Sequence, residues 1–272
     1  MELFLVRGKT MKKIWKPYVA GMRQLWRRLL RKPYCPVCCR WISRFNPLPE
    51  EYAENAKRHG YPYFGEGETI NVSEYSCPNC GASDRERLYS LFLDEQSKSK
   101  SLEELPFLLH FAPEPALSSY IRRLGGYRYR TADLGAMATD DQVDITHMDT
   151  YPDGFCDAFI CSHVLEHVVD DDAAMRELHR ILKPQGWGIL MVPVMTHLED
   201  SVEDATATTE AERWRLFGQG DHVRLYAKPD FLKRIANAGF SVRQLGADHF
   251  GCDTFRRCGI TSGSVLYVVS HD

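Results

Sequence analysis

The sequence predicts an α/β protein: a mostly parallel β-sheet with helices on both faces, preceded by a small cysteine-stapled module. Three observations carry this. From about residue 106 onward, short apolar runs of strand character alternate with segments of helical period. Two Cys-Pro-x-Cys pairs stand ahead of that alternation, in a stretch punctuated by Pro47, Pro49, Gly60, Pro62, Gly65 and Gly67. A hydrophobic fraction of 44% over 272 residues supplies a packed core and excludes a disordered chain.

The first element is a basic arm. Residues 1–34 carry ten Lys/Arg and one Glu, whereas the remainder has 24 basic and 36 acidic residues. Such an arm on an acidic body suits an anionic contact, a phosphate or a membrane surface. Residues 11–32 read as a helix, with Ile14, Trp15, Tyr18, Val19, Met22, Leu25, Trp26, Leu29 and Leu30 at helical spacing and Lys/Arg opposite. Pro17 is compatible with a helix only near its start. Tryptophans beside a basic face fit a helix lying in a membrane interface, hence a peripheral membrane contact. Docking on the protein's own body or on a second subunit is the alternative. No apolar run is long enough to span a bilayer, and the opening residues are too short in apolar character for a secretory signal.

The second element holds the cysteine pairs, Cys35-Pro36-Val37-Cys38 and Cys77-Pro78-Asn79-Cys80-Gly81. A Cys-x-x-Cys turn converges two thiolates on one ion, two such turns complete a tetrahedron, and soft thiolates select zinc. With four protein ligands the site is closed, so the metal is expected to be structural, holding a segment with too little core of its own. Cys39 adjoins Cys38, but the paired spacing selects Cys38. The odd total of nine cysteines shows no disulfide rhythm and fits a reducing, cytoplasmic setting. Residues 84–95 read as a short amphipathic helix, and Gln96 to Ser101 as a polar linker. The expected divisions are therefore 1–34 (arm), 35–95 (zinc ribbon and connecting helix) and 96–272 (sheet domain).

In that last part the expected strands are 107–111, 128–133, 157–162, 187–194, 240–245 and 264–270, and the expected helices 116–124, 171–182 and 229–238. Asp170 or Asp171 can cap the second helix, and Pro184 and Gly186 stop it. Ligands in such sheets bind outside the carboxyl ends of the strands. Asp133 ends one strand, 23 positions after His110, where α/β nucleotide sites place a ribose acceptor. Asp144 follows in Val143-Asp144-Ile145-Thr146. Read singly, each acid is also explained as a cap or a solvated side chain. His163-Val164-Leu165-Glu166-His167 matches the H-x-x-E-H zinc-protease pattern. That chemistry needs both histidines on one long helix, and here the motif follows a strand directly and is cut off by Asp170-Asp171-Asp172.

Taken in order, Tyr129 to Leu134, Val143 to Thr146, Ser162 to His167 and Leu182 to Trp187 resemble the motifs of class I S-adenosylmethionine-dependent methyltransferases. More narrowly, the chain resembles the bacterial type with an N-terminal Cys-x-x-Cys zinc ribbon. That type also shows the turn His110-Phe111-Ala112-Pro113-Glu114-Pro115 and the segment Phe217-Gly218-Gln219-Gly220-Asp221-His222-Val223-Arg224. The resemblance covers roughly residues 35–270. It implies a Rossmann-like methyltransferase domain with a seven-stranded sheet and a final antiparallel strand. It implies S-adenosylmethionine contacts by His110, Ala112, Pro113 and Glu114, with Asp133 and Leu134 at the ribose and Asp144 and Ile145 near the adenine. Ser162 and His163 would line the methyl end.

One departure stands out: the wider superfamily has glycines where Ala112, Glu114 and Ala116 occur, and Pro113 and Pro115 remove N–H donors. Glu114 can face the cationic cofactor, or simply serve the positive end of a helix.

Methyl transfer asks the protein to align the reactants and, for a hydroxyl acceptor, to remove a proton. His222 is the first expected base, oriented by Asp221, with His163 second; Arg224 and Tyr226 are expected to hold the acceptor. Residues 197–216 read as a lid over the active face, and their acids do not suit a nucleic-acid groove. The expected acceptor is a small molecule or a saccharide, methylated on oxygen or nitrogen. A catalytically inactive, methyltransferase-like binding or scaffold protein is the competing class, favoured by the glycine-free turn.

Overall fold

The computed structural model describes residues 32–98, 105–135 and 139–271. The expected N-terminal helix lies outside them. A seven-stranded sheet forms the centre, built from β3 (Phe107–Phe111), β4 (Arg128–Asp133), β5 (Asp141–Gln142), β6 (Cys156–Ser162), β7 (Leu182–Met191), β11 (Ser241–Leu245) and β12 (Leu266–Ser270), in the order β11-β12-β7-β6-β3-β4-β5. β3 pairs in parallel with both β4 and β6, while β12 runs antiparallel to its neighbours β7 and β11. β3 is buried on both faces, as a strand covered by helices on either side must be. Chain order reverses between β3 and β6, which opens a crevice at their carboxyl ends.

The strands meet expectation with one sizeable correction. β7 begins at Leu182, five residues before the expected 187, because helix α4 (Asp171–Ile181) passes straight into it. Asp170 caps that helix, accepting from the Ala173 N–H at 2.8 Å. Within β7, Gly188 lies against the ring of Phe159; a Cβ there would fall 2.2 Å from Phe159 Cζ, so no other residue fits.

Two small sheets complete the molecule: β1 (Tyr34–Cys35) with β2 (Arg40–Trp41), and β8 (Val194–Met195) with β10 (Arg224–Ala227) and β9 (Val202–Glu203). The second was not anticipated, because its strands are too short to leave a period. The remaining helices that matter are α1 (Glu50–His59), α2 (Asp84–Lys98), α3 (Pro115–Leu124), α5 (Glu210–Phe217) and α6 (Lys228–Asn237). α2 extends through Gln96, Ser97 and Lys98, which were expected as linker.

The cysteine module is welded to the sheet. Cys35, Val37, Phe45, Leu88 and Phe92 belong to the same buried core as the central strands. Arg87, fully buried, donates to the carbonyls of Tyr75 and Ala82 on one side and Cys258 and Gly259 on the other. A buried guanidinium is tolerated only when its fork is filled in this way.

Candidate functional site

The turn after β3 keeps a left-handed backbone without glycine. Ala112 has φ 46°, and its N–H donates to the Ala132 carbonyl at 2.9 Å. Glu114 stands at the N-cap of α3 but makes no side-chain cap bond. The first turn of α3 is served instead by Glu86, whose Oε1 accepts from the Leu117 N–H at 3.2 Å. The Glu114 carboxylate is held from below: His110 Nε2 lies 2.9 Å from Oε2, and Ser162 Oγ donates to Oε1 at 3.1 Å. Although burial pushes the Glu114 carboxyl up, its bond to His110 and the nearby Arg85 charge outweigh that and hold it below the ordinary range.

At the adjoining corner, Asp133 ends β4 and its Oδ1 accepts from the Gly135 N–H at 3.0 Å. Val143 N–H donates to the Asp133 carbonyl at 2.9 Å, and Gln142 Nε2 to the Leu134 carbonyl at 2.9 Å. The expected group Asp133, Leu134, Asp144 and Ile145 is thus drawn to one end of the sheet. Asp144 is exposed and closes a local turn on Thr146, while Ile145 is buried.

A cavity of about 340 Å³ opens beside the carboxyl ends of β6 and β7. Tyr52, Tyr61, Tyr63 and Tyr75 reach it from the cysteine module, and Trp214 and Phe217 from α5. Its polar lining comprises Arg85, His163, Glu166, His167, Gln219 and His222. His163 adopts φ 56°, uncommon for a residue with a side chain, and its Nδ1 lies 3.0 Å from Glu166 Oε1. Burial and the Arg85 charge hold His163 below its ordinary value of 6.5 against the pull of Glu166. Burial likewise pushes His222 down.

Residues 107–245, just over half of the chain, match the family described as "Methyltransferase domain". The chain belongs to this methyltransferase family. No curated protein matches it. Among solved structures it is similar to the [4+2]-cyclase SpnF, with 14% identity over 83% of this chain and 97% of that one and a TM-score of 0.45. It is similar to the CMeT domain of the citrinin polyketide synthase, with 15% identity over 73% and 55% and a TM-score of 0.46. A third is the Burkholderia thailandensis 1,6-didemethyltoxoflavin-N1-methyltransferase, with 14% identity over 61% and 72% and a TM-score of 0.36.

Several expected roles change once side chains are placed. His110 and Ser162 are buried and their polar atoms are engaged by Glu114, Tyr129 and Tyr89, so their side chains support the turn from beneath. Arg224, expected to hold the acceptor, has its donors committed within the fold. Its guanidinium donates to the carbonyls of Leu165, Val168 and Val169 and pairs with Glu203, pinning the 3₁₀ turn Leu165–His167 to β10. Tyr226 is fully buried and its hydroxyl donates to Asp171 Oδ2 at 2.6 Å, so it too is structural. Asp221 does not orient His222; its carboxylate lies 3.3 Å from His167 Nδ1. Arg85, Glu166 and His167 were missed as site residues. A single arginine in a charged helix start gives no signal, and the two residues of the H-x-x-E-H string were set aside with the protease pattern.

The four paired cysteines meet as expected. Cys35 Sγ lies 3.8 Å from Cys80 Sγ, and Cys38 Sγ 3.8 Å from Cys77 Sγ. A tetrahedron with Zn–S bonds of about 2.3 Å has edges of about 3.8 Å, so the donor set fits that ion. Cys39 turns away, its thiol donating to the Pro36 carbonyl.

Proposed function

We propose that the chain is an S-adenosylmethionine-dependent methyltransferase acting on a hydroxyl or amine of a small molecule, saccharides foremost, held in the aromatic cavity. The placement of His163 carries this reading. It directly follows Ser162, whose hydroxyl touches Glu114 of the cofactor turn, and it lines the cavity with its ring braced by Glu166. A histidine so held can take a proton from an acceptor at the end of β6. It replaces His222 as the first choice, because Asp221 braces His167 and not His222.

S-adenosylmethionine, when bound over β3 and β4, would supply the activated methyl on its sulfonium. Asp133 would accept from the ribose, and Asp144 and Ile145 would border the adenine. Arg85, whose Nε is buried without a hydrogen-bond partner, would meet a carboxylate. The left-handed Ala112 supports this reading over that of a catalytically silent scaffold. The backbone shape that a glycine normally supplies is kept here by an alanine. The aromatic walls suit the apolar faces of a sugar or a planar ring. Cys35, Cys38, Cys77 and Cys80 would hold a closed, structural zinc, so the module that supplies half of the cavity wall would depend on it.

The test is transfer of an isotopic methyl from S-adenosylmethionine to a panel of hydroxylated small molecules and saccharides. His163→Asn should lower kcat by about 10²-fold or more, with S-adenosylhomocysteine affinity unchanged. Transfer at the wild-type rate by that variant would remove the base role.

A further inference from the structure

Glu166, His167 and His222 each offer a ligand atom, and these atoms lie within 4.8 Å of one another on the cavity wall. The juxtaposition is built by the fold. The 3₁₀ turn after β6 presents Glu166 and His167, and the segment entering β10 brings His222 beside them. Val223 N–H donates to the Glu166 carbonyl at 2.8 Å, and Arg224 ties down the carbonyls on either side of that turn. The rings of His167 and His222 stand edge to face, 4.8 Å apart.

The polar atoms here are costly as they stand. Glu166 is fully buried, and His222 is 6% exposed. His163 Nδ1 engages Glu166 Oε1 at 3.0 Å, but Oε2 of Glu166 and Nδ1 of His222 have no hydrogen-bond partner. Buried polar atoms are almost always partnered, so two orphans converging with a third side chain call for a missing partner. A proton donor would satisfy the carboxylate alone. A divalent cation satisfies the carboxylate and both imidazoles at once.

We propose that Glu166, His167 and His222 form a second metal site, distinct from the four cysteines, that takes a divalent first-row transition cation at the wall of the acceptor cavity. Two imidazoles and a carboxylate are the donor set such ions accept while leaving coordination positions open. His167 carries the outer contact that ligating histidines commonly make: its Nδ1 lies 3.3 Å from the Asp221 carboxylate. That gives Asp221 its role as a positioning residue. It also accounts for the H-x-x-E-H string, whose glutamate and second histidine enter the site while the first histidine stays outside, beside Glu166. The ion's open positions face the cavity, where an acceptor oxygen can bind and lose its proton more readily. This catalytic use rests on the methyltransferase reading; the binding itself does not.

The experiment uses the full chain with its cysteine site already loaded with zinc. Mn(II) is titrated by electron paramagnetic resonance and Co(II) by its d–d absorption, with no activity readout. At least one ion should bind at one equivalent per chain. His167→Ala, at the half-exposed rim, and His222→Asn should each weaken that binding at least tenfold. Calorimetric titration of S-adenosylhomocysteine into the same samples separates the two readings. Unchanged cofactor binding in His167→Ala shows that the variant is folded. Metal binding without any cofactor binding would leave the metal site standing and remove the methyltransferase reading. Saturable binding of neither ion by the wild type, or equal binding by both variants, would overturn the site.

Discussion

Glu114 stands where the wider superfamily has a glycine, and its surroundings fix its charge. Its carboxylate is braced by His110 and Ser162 beneath the turn, and Arg85 lies 3.9 Å away. Its pKa in the fold lies below the ordinary 4.5, so above that pH both folded and unfolded chains are ionised and the stabilisation is complete. As pH falls from 4.5 toward the lower folded value, the unfolded chain takes up a proton that the folded one refuses, and stability drops. Urea unfolding at a series of acid pH values should show this decline, and Glu114→Gln should show a shallower one. The sequence displayed this residue and its possible partners but not the choice between them. The competing task of capping α3 falls to Glu86, 31 residues upstream of the Leu117 N–H that it accepts from, which no local pattern reveals.

At the scale of elements, the parallel strands β3 and β6 were legible because burial on both faces makes them nearly continuous apolar runs of the right length. The two-residue strands β8 and β9 were not, since pairing with β10 creates them and composition does not. The same reason explains the misplacement of Arg224 and Tyr226. Both look polar and available beside His222, yet β10 turns them inward, against Asp171 and the carbonyls of the 3₁₀ turn. Arg224→Leu should therefore destabilise the protein by about 3–5 kcal/mol, because it leaves the buried carbonyls of the 3₁₀ turn without their donor and takes from Asp171 one of the three partners it shares with Tyr226 and Arg234. Chemical denaturation measures this directly. A change confined to acceptor KM, with stability intact, would return Arg224 to the binding role. α5 makes the opposite prediction. Trp214 stacks on His59 at 5.8 Å and closes the cavity, so Trp214→Ala should raise the acceptor KM with little effect on cofactor affinity.

For the whole molecule, the division into a cysteine module and a sheet domain understates their union. Tyr52, Tyr61, Tyr63 and Tyr75 come from the first and the histidines from the second, so the cavity is complete only when both are folded. Withdrawing zinc with a strong chelator should lower the thermal midpoint and abolish methyl transfer together. Re-addition of zinc should restore both. The cysteine spacing made the four-cysteine cluster legible, but nothing in it told that the same segment walls the cavity. Among the described residues no helix is long and apolar enough to cross a membrane. Residues 1–31 of the basic arm, expected to reach an anionic surface, lie outside them.

The most direct measurement is calorimetric titration of S-adenosylhomocysteine into the zinc-loaded chain, beside Asp133→Ala. Micromolar binding by the wild type, weakened at least tenfold in the variant, is the predicted result, and it would place the cofactor at the corner that Asp133 forms with Asp144. Absence of binding at millimolar ligand would contradict the account, and would mean that a turn shaped by Ala112 and closed by Pro113 and Pro115 keeps the fold of a methyltransferase without its cofactor.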